Sequence, residues 1–82
     1  MFLAKVYVTL KPTVNDPQGR TILGGLKALG FDLATDVRAG KYLELRLNEE
    51  DRRGAESHVK EMCDKLLANP VIEEYRYELL KA

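Results

Sequence analysis

Few side chains in this chain are of types that do chemistry, and their surroundings decide what they can do. His58 is the only histidine and Cys63 the only cysteine. Nucleophilic catalysis needs a Ser or Cys held beside a base, and a third group to orient that base. The sequence positions no Ser or Cys as an obvious nucleophile for His58 and identifies no orienting partner, so His58 is read as an ordinary surface histidine. Cys63 falls inside an apolar stripe, where a thiol fills space and burial dulls its reactivity, so it is read as core. Glu49-Glu50-Asp51 gathers carboxylates as a magnesium site would. Adjacent carboxylates on one turn do not converge on an ion, however, and at a helix start they answer the dipole. Gly24-Gly25 precedes no Gly-Lys-Ser/Thr, so it is not a phosphate loop. The pattern therefore offers no catalytic, cofactor-binding or metal-binding residue.

The elements that would position any site follow from hydrophobic period. Ala4, Val6, Val8 and Leu10 alternate with Lys5, Tyr7, Thr9 and Lys11, which predicts a half-buried strand over 2–11 that Pro12 ends. Asp16-Pro17 is a helix start, since Asp accepts free first-turn amides and proline there loses only a donor without a partner. Ile22, Leu23, Leu26 and Leu29 carry that helix to Gly30, a left-handed terminus. Gly24 and Gly25 inside it each cost about 1 kcal/mol against Ala. Either another backbone crosses closely there or the helix tolerates them.

Leu33, Thr35 and Val37 alternate with Ala34, Asp36 and Arg38, predicting a second strand. Ala39-Gly40 reads as a hairpin turn into a third, with Leu43, Leu45 and Leu47 facing one way and Tyr42, Glu44 and Arg46 the other. Asn48, with Asp51 three residues on, resembles a capping box for a second helix. Its stripe runs Ala55, Val59, Met62, Cys63, Leu66, Leu67, until Asn69-Pro70 stops it. Tyr75, Tyr77 and Leu79 alternate with Glu74, Arg76 and Glu78 in a last strand.

The order strand-helix-strand-strand-helix-strand predicts an α+β, ferredoxin-like (split βαβ) fold: a four-stranded antiparallel sheet with both helices on one face. Residues 1–82 are read as a single domain. With one cysteine, so small a core has no disulfide staple, and oligomerisation is the ordinary remedy, so a homodimer or larger is expected. Lys+Arg and Asp+Glu both number 13, which argues against a nucleic-acid binder. No apolar stretch is long enough to span a bilayer, and no basic-then-apolar leader follows Met1, so a cytoplasmic protein is expected. The sheet face opposite the helices, with Lys5, Tyr7, Tyr42, Glu44, Arg76 and Glu78, suits solvent or a wet protein interface. A dimeric small-molecule-binding regulatory module of this fold stays open as an alternative.

Two stretches carry a resemblance. The first is Val6-Tyr7-Val8-Thr9-Leu10-Lys11-Pro12, followed by Asp16-Pro17-Gln18-Gly19, Leu29-Gly30-Phe31, Asp36-Val37-Arg38 and Gly40-Lys41. The second runs from Met62-Cys63-Asp64-Lys65 through Asn69-Pro70 to Glu73. Together they resemble the PurS family, small subunits of phosphoribosylformylglycinamidine synthase, over nearly the whole chain. Ala39, where a Val is usual, Gly24-Gly25 and the stretch 48–54 depart from the pattern. The resemblance implies a non-catalytic subunit in purine biosynthesis. It would bridge, as a dimer, a glutaminase subunit, PurQ, and a synthetase subunit, PurL, and support ammonia transfer between them. It also implies no cofactor on this chain, with ATP and magnesium held by PurL.

Partner-contact candidates are then Lys11, Gln18, Arg38, Lys41 and Asn69. Gln18 is first part of a helix cap and second a docking residue. Arg38 and Lys41 flank the expected turn, either as a solvated tip or as two cations meeting an acidic patch. Exposed charges at such a tip contribute little to folding. Asn69 is a helix stop with any contact secondary.

Overall fold

The structure is a computed structural model describing residues 1–82. Its elements are β1 (Phe2–Leu10), α1 (Pro17–Ala28), β2 (Gly40–Leu47), α2 (Arg52–Met62) and β3 (Glu73–Lys81), with a π-helical turn, Cys63–Leu67, extending α2. The sheet has three strands in the order β2-β1-β3, and β1 pairs antiparallel with both neighbours. Val6 lies opposite Leu43 on one side and Tyr77 on the other.

Alternation on β1 builds the core. Phe2, Ala4, Val6 and Val8 all point to one face and are buried there with Ala55, Val59, Cys63, Ala68 and Leu79. A fully buried valine contributes on the order of 1.5–3 kcal/mol, so this small cluster supplies most of the fold's driving force. Asp51, not Asn48, caps α2: its carboxylate accepts from the Gly54 amide at 3.2 Å. Arg52 then ties the helix start to the sheet by donating to the Leu79 carbonyl at 2.9 Å, its guanidinium 5.9 Å from the Phe2 ring centre. In the π turn the Ala68 amide reaches back to the Cys63 carbonyl at 3.0 Å. The wider turn leaves Leu67 packed on the core and Leu66, its neighbour in the predicted stripe, 81% exposed.

Two expectations need correction. Residues 33–38 form no strand, so the sheet has three strands, not the four anticipated. Alternation is a local property, and here the segment is tied elsewhere: Arg38 donates to the carbonyls of Lys11 and Val14, each at 2.9 Å. Ala39-Gly40 is accordingly not a hairpin tip. The helices also do not share the sheet face. No residue of α1 belongs to the core or packs against it, whereas α2 supplies Ala55 and Val59 to it and the π turn supplies Cys63. The molecule is therefore long, 49 × 27 × 14 Å, with a radius of gyration of 16.1 Å, against roughly 12 Å for a compact chain of this length.

Candidate functional site

Because β1 runs antiparallel to both neighbours, its C-terminal end lies beside the N-terminal ends of β2 and β3. The segments 11–16, 36–39 and 69–72 therefore meet at one end of the sheet, and all five partner-contact candidates belong to this end. The Lys11 amide donates to the Ile72 carbonyl at 2.9 Å, joining the first segment to the third. Asn69 folds its own turn: its Oδ1 accepts from the Val71 amide at 3.0 Å, and its amide donates to the Glu73 carboxylate at 2.6 Å. Gln18 and Lys41, both exposed, line a depression of about 270 Å³ with Asp16 and Glu73. Arg38 lies apart from them, beside Pro12 and Asp36.

Asp16 organises this end. It is 5% exposed, and its carboxylate accepts from the Gly19 amide at 3.0 Å, the anticipated helix cap. Its second oxygen accepts from the Ala39 amide at 2.7 Å, a bond between residues far apart in sequence that no local signal reveals. These two amide protons, Gly19 first, hold the carboxyl below its ordinary pKa. Gly19 itself is required, since a Cβ there would collide with the Val37 carbonyl oxygen. Asp16, Gly19 and Arg38 thus form a clasp that binds the start of α1 to the segment leading into β2. The cation at Arg38 is spent on backbone carbonyls rather than left free in solvent.

The face of the sheet away from α2 carries an ordered polar ladder. Tyr7 and Tyr42 lie side by side with ring centres 5.1 Å apart, and the Arg76 guanidinium sits 4.0 Å from the centre of the Tyr7 ring. The Tyr7 hydroxyl donates to Glu78 at 3.0 Å and the Tyr42 hydroxyl to Glu44 at 2.7 Å. That second bond, helped by desolvation, pushes the Tyr42 phenol up to about 12. Tyr7, Tyr42 and Arg76 border an open groove of about 520 Å³.

The residues weighed for chemistry stand apart. Cys63 is wholly buried, which raises its thiol pKa. His58 is on the surface, its Nδ1 3.2 Å from Glu49. No three His, Cys, Asp or Glu side chains are placed to hold a metal ion. Beyond their own helical turns, Gly24 and Gly25 have no atom of the chain within 4 Å of where a Cβ would stand, so no crossing backbone within this molecule accounts for them.

Known proteins resemble the chain along its length. The family model described as PurS, phosphoribosylformylglycinamidine (FGAM) synthase, matches residues 3–81. The Bacillus subtilis phosphoribosylformylglycinamidine synthase subunit PurS is 51% identical over 79 residues, covering 96% of this chain and 93% of that protein. The crystal structure of B. subtilis PurS superposes with a TM-score of 0.88 at 49% identity, over 99% of this chain and 100% of that one. A chain of the PurLQS structure from Thermotoga maritima superposes with a TM-score of 0.86 at 32% identity, over 98% of this chain and 99% of its own.

Proposed function

The chain belongs to the PurS family of phosphoribosylformylglycinamidine synthase subunits, and we propose that it serves that synthase as its non-catalytic small subunit, joining PurQ to PurL. The observation that carries this is full-length likeness to a chain from a complex named PurLQS. Residues 1–82 act in it as one domain. The synthase makes a purine precursor from an amide, glutamine and ATP. The glutaminase site belongs to PurQ, and ATP and magnesium belong to PurL. This chain contributes surfaces, carries no cofactor, and supports the passage of ammonia between the two active sites.

The sheet end described above is the surface assigned to PurL or PurQ. Gln18 and Lys41 reach outward from it, while Lys11, Arg38 and Asn69 contribute by shaping the backbone that presents them. The working form is a homodimer or larger. The four-stranded ferredoxin-like plan belongs on this reading to the assembled subunit, since the free edge of β2 is where the fourth strand would lie. No helix is long and apolar enough to cross a membrane. The cytoplasm, where the pathway's soluble substrates are, is the assigned location, and nucleic acid is not a partner. Tagged chain mixed with its organism's PurL and PurQ should retain both on a column. Retention of neither, under conditions where PurL and PurQ are folded and ATP and glutamine are present, contradicts the proposal.

A further inference from the structure

The groove on the sheet face away from α2 is lined by one cation and one anion, and strand register decides which side chains reach it. Tyr42, Tyr7 and Arg76 stand in one row across β2, β1 and β3, and Gly40, Thr9 and Glu74 in the next. Lys41, Val8 and Tyr75 lie between the two rows. By alternation their side chains go to the opposite face, so they give the groove backbone only. The charged side chains that face it are therefore Arg76 and Glu74.

The groove is built, not incidental. A Cβ on Gly40 would collide with the Val8 carbonyl oxygen and stand 2.9 Å from the Thr9 methyl, so the floor beside Thr9 stays bare. The two tyrosine hydroxyls are drawn away from the groove, to Glu78 and Glu44 in the row beyond. That fixes both rings and leaves their apolar bodies as the wall. The Arg76 guanidinium, 4.0 Å from the Tyr7 ring centre, is held at one end of this wall.

Both charges are free to meet a ligand. The chain's ion pairs are Arg52–Glu56, His58–Glu49 and Lys65–Glu61, and neither Arg76 nor Glu74 takes part in one. Their α-carbons are about 7 Å apart along β3, with the groove open above both. Charge then selects what fits. A phosphate or a simple carboxylate would be repelled by Glu74, and a simple amine by Arg76. A zwitterion offers one charge to each. The groove's volume of about 520 Å³ lies inside the range of small-molecule sites, roughly 300–1,000 Å³.

We propose that this groove binds a free α-amino acid with an apolar side chain, its carboxylate on Arg76, its ammonium on Glu74 and its side chain along Tyr42 and Tyr7. The site goes beyond the bridging role assigned above, since it gives the subunit a small-molecule ligand of its own. It lies on the sheet face that α2 leaves open, and every side chain in it comes from one chain.

Nuclear magnetic resonance titration of the isotope-labelled full chain tests it. L-Phenylalanine and L-leucine at millimolar concentration should saturably shift the amide signals of Thr9, Gly40 and Arg76 and leave those of α2 in place. Phenethylamine, which lacks the carboxylate, and N-acetylphenylalanine, which lacks the ammonium, should each bind roughly tenfold or more weakly, the scale of one charge-assisted contact. Arg76→Gln and Glu74→Gln alter exposed side chains and should each weaken phenylalanine binding by the same factor. The comparison of ligands needs no variant, so it decides the matter even where a variant fails to fold. The proposal is overturned by the absence of a saturable shift with both amino acids, or by shifts that fall only outside the groove. Binding of either truncated ligand as tight as that of phenylalanine overturns it too, as does a folded variant that binds like the parent. PurL and PurQ are absent from this titration, so failure of the synthase role leaves its result standing.

Discussion

Asp16 holds two backbone amides from opposite ends of the clasp on one carboxylate, and this sets how stability depends on pH. Its folded pKa is depressed, so its contribution is fully present above the unfolded value of about 4 and is lost as pH falls through the folded value. Asp16→Asn, which keeps the shape but not the charge, should lower the Tm at pH 7 and flatten its decline between pH 4 and pH 2. Parallel acid limbs for the two proteins would mean the carboxylate is not what the clasp uses. Arg38 marks where sequence and structure part. An exposed cation beside a glycine reads as a free tip, but its two bonds to carbonyls make it structural. Arg38→Ala should lower the Tm by roughly 4–8 °C, the equivalent of about 1 kcal/mol in a domain this small. An unchanged melt would restore the solvated tip.

At the scale of elements, β1, β2, β3, α1 and most of α2 were legible because each carries its own period, and Pro12, Gly30 and Pro70 stop β1, α1 and the second helix. The 33–38 segment carries the period of a strand too, yet pairing depends on what lies alongside, and no sequence pattern announces the Asp16–Ala39 or Arg38–Lys11 bonds. The π turn escaped for a related reason, since one extra residue in a turn changes which of Leu66 and Leu67 is covered without changing composition. All five partner-contact candidates do lie at one end of the sheet, because antiparallel pairing brings their segments together. Glycines separate the roles within α1. Gly19→Ala should cost about 1–3 kcal/mol, since a Cβ meets the Val37 carbonyl and the neighbour is backbone that cannot give way. Gly24→Ala, in open space on the side of α1 away from the apolar stripe, should instead raise stability by about 1 kcal/mol. Urea unfolding of both variants checks the pair, and equal effects would show that the clasp does not constrain Gly19.

The whole molecule is a small core on one half of a sheet, a clasp at one end and an arm leaving it. Its length of 49 Å belongs to a part of an assembly rather than to a chain that buries its own surface. The chain belongs to the PurS family of synthase subunits. The role proposed for the chain is to bring a source of ammonia and its consumer together. The most direct test is glutamine-dependent amidination by PurL and PurQ from the same organism, with ATP and formylglycinamide ribonucleotide, measured with and without this chain. The account predicts amidination that rises as the chain is added and saturates at a fixed ratio to PurL, while the chain alone hydrolyses neither glutamine nor ATP. Equal glutamine-dependent rates with and without the chain would contradict it.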